Sequence, residues 1–560
     1  MNSYHSRTLR HKLDRSAAIM RTLMPLLIKG SLLTICMSLV VSCGQANTVK
    51  HQDLLRIKAE QPSPSAPNAA KKIMLIVADS LLSEAIDRGL SKHQLPTIQA
   101  LIERGRYERN VISSFPTMSV TIDSSLITGT YPDRHKVPGL IWYSDQAKRL
   151  INYGTGPSES LHQGAKRVIE DGMLHLNEEH LSKQVSTIYE DLHRKGKSSG
   201  SINGLLYRGP VQHRLAFPAW LEKPLNLPET ATIKGPDLFA FGAFSNPLED
   251  KLKLPVGPTN RFGLNNEYGI ELTSHLAHNR MLPDFLYVYL PDADQQLHKH
   301  GPADDEAALK LDQQLGSLMQ QGFGSVDEAL KQAVIVIIGD SGVSEVRERS
   351  NDAKIELDKH LAAYKRLPPG QAPDSSTEIA IASNETMAYV YRFAQGPALS
   401  LLAAELASDA RIDQLAWKDG DSVHVLQAGT GRKLQFKQGG PWQDAYQQAW
   451  TIEGDLEVMD LQTDAAHHML ASYRYPDGLK RLYAALHSHT GEYLIVTAKP
   501  GYELADEHSP THPGGGAHGS LHAIESNVPI IVAGTQKLSS VPLRIVDLKA
   551  WLLELSHSTN

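Results

Sequence analysis

The sequence predicts an α/β fold: a doubly wound, mostly parallel sheet carrying an inserted α+β subdomain. Unbroken apolar runs recur at Ile73–Ala78, Phe285–Leu290, Val334–Ile338 and Val528–Ala533. Such runs mark strands buried on both faces, as in a parallel sheet covered by helices on either side. Between them lie helix-periodic stretches such as Leu95–Arg104 and Leu181–Arg194. Strands alternating with helices build a doubly wound sheet. From about Pro368 to Ala498 the texture changes. Strand-like Ala388–Phe393 and Ser422–Leu426 sit among Gly-rich turns, with a helical stretch near Leu401–Ala407. The expected organisation is therefore a core over 71–367 and 499–560, interrupted by the subdomain at 368–498.

The first 70 residues read differently. Residues 1–42 hold six Lys/Arg against Asp14, a net +5, and include a charge-free apolar run from Gly30 to Val41. That run is too short for a comfortable membrane span and suits a signal peptide. It ends in Val40-Val41-Ser42-Cys43-Gly44, which resembles a bacterial lipobox with Cys43 as the lipidated residue. The alternative is an uncleaved anchor from Leu23 to Val41. Residues 43–70 contain Gln61-Pro62-Ser63-Pro64-Ser65-Ala66-Pro67 and read as a polar tether. The expected location is the cell envelope, on the periplasmic or outer-membrane side, with membrane attachment through the lipid.

Composition narrows the function. The 560 residues are 41% hydrophobic and 21% charged, an ordinary globular balance, with net charge −6 and two cysteines. Removing residues 1–42 leaves −11, which argues against sequence-independent nucleic-acid binding. Two cysteines make neither a disulfide framework nor a Cys-rich zinc site. Oligomeric state is not encoded in any readable pattern.

Metal-ligand residue types stand beside the predicted strands. Asp79 follows Ile73–Ala78, Asp294 and His298 follow Phe285–Leu290, and Asp340 follows Val334–Gly339. His518 precedes the last strand, in Gly514-Gly515-Gly516-Ala517-His518-Gly519. Ligands of open α/β sheets bind outside the carboxyl ends of the strands. Asp294 and His298, four residues apart, share one helical face and can chelate one ion. Alone, each Asp reads as a helix cap and each His as a solvated loop residue; their joint occurrence along one sheet is the signal. A nucleophile is expected in Ser113–His135, where a hydroxyl at a helix N-terminus could meet a phosphate oxygen. On residue chemistry, Thr117, Ser119, Thr121 and Ser124 are all candidates.

Taken together, these segments resemble the alkaline phosphatase superfamily, and most closely its nucleotide pyrophosphatase/phosphodiesterase branch. The branch pattern is a strand ending in Asp, a nucleophile ten residues before the Gly of Thr-Gly-x-x-Pro, then Asp-x-x-x-His-x-x-Gly-Pro, Asp-His-Gly and a late His-Gly. This chain has Asp79, Ser119 ten residues before Gly129, Thr128-Gly129-Thr130-Tyr131-Pro132, Asp294 to His298 with Gly301-Pro302, Asp340, and His518-Gly519. The resemblance implies two divalent ions, zinc in type. Asp294, His298 and His518 would hold one; Asp79, Ser119 and Asp340 would contact the other. Ser119 would attack phosphorus and form a covalent phospho-enzyme, with a small-molecule phosphate ester as substrate.

Two departures stand out. Ser341 occupies the place of the His after Asp340, which puts the second ion in doubt; His512, His522 or a water could fill in. Where the branch offers an Asn to phosphate, this chain reads Gly139-Leu140-Ile141-Trp142-Tyr143. Trp142 and Tyr143 could stack on a substrate's aromatic group or belong to the core. A sulfatase is disfavoured, because Met118 replaces the Arg of Cys/Ser-x-Pro-x-Arg. The expectation is a phosphodiesterase or nucleotide pyrophosphatase. A phosphomonoesterase or phosphonate hydrolase on the same scaffold, and a lipid-anchored binding protein without turnover, are the alternatives.

Overall fold

The computed structural model describes residues 71–348 and 352–557. Cys43, the predicted signal segment and the tether lie outside these residues. Among the described residues, no helix is long and apolar enough to cross a membrane. Residues 217–229 form a unit apart, with one helix, Ala219–Leu225.

The predicted sheet is present with seven strands. Their order is Gly105–Ile112, Asn527–Ala533, Ala333–Gly339, Lys72–Ala78, Phe285–Leu290, Ser199–Ile202 and Leu238–Ala240. Lys72–Ala78 lies at the centre, parallel to both neighbours. Its alternate residues explain the unbroken apolar run: Ile73, Leu75 and Val77 enter the core on one face, Met74, Ile76 and Ala78 the core on the other. Phe285–Leu290 divides its side chains in the same way. Asn527–Ala533 runs antiparallel to Ala333–Gly339, with Ile530 opposite Ile338.

Helix Pro96–Glu103 matches its periodic stretch. The helix expected over Leu181–Arg194 is corrected to Ile188–Arg194. Thr187 caps it, accepting from the Glu190 N–H while the Glu190 carboxylate accepts from the Thr187 N–H. Leu181 has extended backbone and is fully buried, so the apolar spacing upstream of Thr187 reflects core filling from irregular chain.

Within 368–498 the chain builds a second, nine-stranded sheet, antiparallel except for one bridge between Gln443 and Met469. It includes Met387–Arg392 and Ser422–Gln427, and helix Leu399–Leu406. Its face packs on Phe115, Ile141, Trp142 and Tyr143 of the first region in one shared core. Arg481, fully buried on helix Gly478–Leu486, fastens the two regions. Its guanidinium donates to the Ser114 carbonyl at 2.9 Å and to Ser526 Oγ at 2.8 Å. Burial pulls its pKa down to about 10.

Candidate active site

Strand direction gathers the site. Asp79, Asp294 and Asp340 all lie just beyond the carboxyl ends of the three central parallel strands. Because Asn527–Ala533 is antiparallel, the segment preceding it, with His518, reaches the same rim.

Asp294 is the hub. Its Oδ1 lies 3.1 Å from His298 Nε2 and 3.2 Å from His518 Nε2. The other nitrogen of each ring faces a backbone carbonyl, Gly516 O at 2.7 Å for His298 and Thr117 O at 2.6 Å for His518. A carbonyl only accepts, so Nδ1 carries a proton, and each Nε2 faces Asp294, donating to it when the ring is protonated and free to bind a cation when that proton is lost. The glycine run makes this possible. A Cβ on Gly515 would stand 1.9 Å from the His298 carbonyl, and one on Gly516 2.4 Å from Val343. Only a chain without side chains there passes so close to helix Asp292–His300.

The charges agree with a cation-binding cluster. Burial opposes ionisation of Asp294, yet His298 and His518 hold its carboxyl well below the usual range. Burial likewise opposes protonation of His518, but Glu385 and Asp294 push it up to about 9. The cluster therefore attracts positive charge, and its nitrogen and oxygen donors suit zinc.

Asp79 and Asp340 form a second group. Asp340 Oδ1 accepts from the backbone N–H of Ser80 at 2.8 Å and of Ser341 at 2.7 Å. Tyr289 donates its hydroxyl to Asp79 Oδ2. The remaining oxygens, Asp79 Oδ1 and Asp340 Oδ2, are buried and have no hydrogen-bond partner among the described residues. Burial, then the neighbouring Asp340 and Asp294, raise the Asp79 carboxyl well above its usual range. Orphaned carboxylate oxygens in a dry site fit a bound cation.

Ser341 brings no imidazole to this pair. Ser80 Oγ donates to Asp294 Oδ1 at 2.9 Å, so the Ser341 hydroxyl, 3.1 Å away, is left to donate to Ser80. Neither histidine considered as a substitute takes the place. His512 stacks on His298 at 4.2 Å between centroids and donates Nδ1–H to Glu503 Oε1 at 2.7 Å. His522 caps a short helix, accepting from the Ile524 N–H.

The candidate hydroxyls separate by environment. Ser119 is the first residue of helix Ser119–Thr128 and is partly exposed. Thr117, Thr121 and Ser124 are fully buried. Ser124 Oγ donates to the Val120 carbonyl, and Thr117 Oγ1 accepts from the Gly519 N–H at 2.7 Å. Thr117 thus holds the His518 loop through both its carbonyl and its hydroxyl, two residues ahead of Ser119.

Trp142 and Tyr143 are buried, which favours their place in the core over stacking on a substrate. They lie on strand Ile141–Ser144 at 7% and 4% exposure. Trp142 donates to the Tyr153 hydroxyl and meets the edges of His180 and His489; Tyr143 packs on Tyr391 and Phe393.

Two residues escaped the sequence reading, and a third was expected beside the other group. Ser80 was hidden as an ordinary residue after a strand. Glu385 occupies the two-residue turn joining Ile379–Asn384 to Met387–Arg392, at φ 59°. Its Oε1 lies 3.6 Å from His298 Nε2, and its Oε2 accepts from the His518 N–H at 3.2 Å. His512 was weighed only for the second group. Its spacing, six residues before His518 in the same Gly-rich loop, was the available signal.

Comparison with known proteins agrees with this fold. No curated protein matches the sequence. Human ectonucleotide pyrophosphatase / phosphodiesterase 5 shares the fold at TM-score 0.50 and 12% identity, over 87% of this chain and 95% of that one. Phosphonoacetate hydrolase from Sinorhizobium meliloti 1021, solved with phosphonoformate, aligns at TM-score 0.50 and 15% identity, over 88% and 97%. The family model for type I phosphodiesterase / nucleotide pyrophosphatase matches residues 73–521, so the chain belongs to that family.

Proposed function

We propose that this chain is a metal-dependent hydrolase of phosphoric esters, a phosphodiesterase or nucleotide pyrophosphatase acting through a covalent phospho-Ser119. The observation that carries this reading is the convergence of two imidazole Nε2 atoms on Asp294, with the Ser119 helix tied to one of them through Thr117. Asp294, His298 and His518 would hold one divalent ion, zinc by its donors. Asp79 and Asp340, with Ser119, would contact a second. Bound ions would neutralise phosphate charge and ease loss of the Ser119 proton.

The chain's own part is positioning. Ser119 Oγ forms the bond to phosphorus while one ester oxygen on the opposite side departs as its alcohol or phenol, and water then releases the remaining phosphate monoester and restores the Ser119 hydroxyl. Backbone N–H groups in the first turn of helix Ser119–Thr128 favour the phosphate oxygens. We also place the mature chain in the bacterial cell envelope, lipid-attached at Cys43, on the strength of the lipobox-like segment alone.

Ser341 favours a second reading, a binding protein without turnover. Among the described residues, no group of His, Cys, Asp and Glu fit for a metal includes Asp79 or Asp340. One experiment separates the two. Purified protein is offered an aryl phosphodiester, with and without excess chelator, alongside Ser119→Ala. The hydrolase reading expects turnover that chelation abolishes and that Ser119→Ala lowers about a thousandfold or more. Turnover indifferent to chelation would refute the metal mechanism, and no turnover in the metal-loaded protein would favour binding alone.

A further inference from the structure

We propose that the second cation position, at Asp79 and Asp340, is a magnesium-type site: it takes a hard divalent ion through oxygen atoms alone, where the family pattern would place a second zinc. The assignment rests on the metal-dependent reading above and names the ion for one of its two positions.

The donor set supplies the first reason. Among the described residues, no imidazole joins Asp79 and Asp340 in a group fit for a metal. His298 and His518 face Asp294 through Nε2, His512 pairs with Glu503, and His522 caps its helix. Ser341, the residue after Asp340, brings only a hydroxyl, and Ser80, the residue after Asp79, brings another 3.1 Å from it. Carboxylate and hydroxyl oxygens are therefore what this position offers. Zinc favours nitrogen and sulfur donors in a four-coordinate shell, whereas oxygen donors suit magnesium and manganese.

The carboxylates supply the second reason, because each has one oxygen committed and one free. Asp340 Oδ1 accepts from the backbone N–H groups of Ser80 and Ser341 at 2.8 and 2.7 Å, and Asp79 Oδ2 accepts from the Tyr289 hydroxyl. Asp340 Oδ2 and Asp79 Oδ1 are left buried without a hydrogen-bond partner. They belong to side chains 0% and 5% exposed that are close enough to act on each other. Two neighbouring carboxylates in a dry site call for a cation, and the committed oxygens favour one bond to it from each. That is a poor match for calcium, which takes about 6–8 oxygens and often a bidentate carboxylate. It matches magnesium, usually held by one or two carboxylates and completed by water and substrate phosphate oxygens. Coordination positions are thereby left for the phosphate ester, as the proposed reaction requires.

The test strips the full chain of metal, restores one equivalent of zinc and titrates Mn²⁺, read by its electron spin resonance signal. One Mn²⁺ per chain is expected to bind and to be displaced by excess Mg²⁺. Asp79→Asn and Asp340→Asn should each weaken it about tenfold or more. Without Mn²⁺, a second zinc should bind at least about thirtyfold more weakly than the first, and Ser341→His should narrow that gap. Should Ser341→His fail to fold, the gap in the parent decides. A smaller gap in the parent, no bound Mn²⁺, Mn²⁺ that excess Mg²⁺ leaves in place, or Mn²⁺ that Asp340→Asn does not weaken would each overturn the assignment while the Asp294 centre stands. If the stripped chain takes up no zinc at all, the metal-dependent reading fails and this assignment with it.

Discussion

The two regions that meet at the site place their residues by opposite means. In the parallel sheet, position follows from chain direction: Asp79, Asp294 and Asp340 each follow a central strand and emerge on one rim. In the second sheet, Glu385 reaches the same rim only because a hairpin tip from a separate antiparallel sheet docks there. The first kind of placement survives any change that keeps the strand order. The second depends on side chains that clamp one sheet to the other.

Arg481 is the sharpest way to break that dependence. Fully buried, it serves the Pro476, Ser114 and Leu521 carbonyls and Ser526 Oγ. Arg481→Met should cost about 3–5 kcal/mol in chemical denaturation, the usual penalty for breaking a buried charged network. It should also loosen the site, because Ser114 leads into the Ser119 helix. A loss below about 1 kcal/mol would mean that the sheets hold each other by apolar packing alone.

Acid should probe the regions separately and more gently. Burial lowers His135, in the first region, to about 3, and His489, in the second, also to about 3. His135 is locked neutral: Nδ1 accepts from the Val137 N–H, so Nε2 donates to Ser125 Oγ. A folded-state pKa below the unfolded value of about 6.5 means that the unfolded chain binds more protons as pH falls. Stability from each residue is therefore present above about pH 6.5 and lost progressively down to about pH 3. His135→Gln and His489→Gln should each flatten this acid limb, by an amount on the order of a few kcal/mol at most. Unchanged limbs in both variants would show that these rings are already charged in the fold.

How much of this was legible in the sequence follows from the same contrast. The central strands were readable because both faces are buried, which leaves an unbroken apolar run. The residues after them were readable because strand ends fix where they emerge. Choosing Ser119 among four hydroxyls needed the family spacing; in the fold it differs from the three buried alternatives in being partly exposed at a helix start. Glu385 was illegible, since a two-residue hairpin turn looks alike wherever its sheet docks. Trp142 and Tyr143 were ambiguous because an aromatic pair fits a binding wall or a core equally well, and only the neighbouring sheet, supplying Tyr391, Phe393 and His489, decides for the core. Ser341 was visible as a departure, yet its partnership with Ser80 required the fold.

The account turns on Ser119 taking the phosphoryl group. The most direct measurement is an acid quench of the metal-loaded protein turning over an aryl phosphodiester, followed by mass mapping of the tryptic peptide 110–134. The predicted adduct on Ser119 is the phosphoryl group still carrying the one ester substituent that has not departed. A phosphoryl group on Ser124 or another hydroxyl, or sustained turnover with none on the protein, would contradict it.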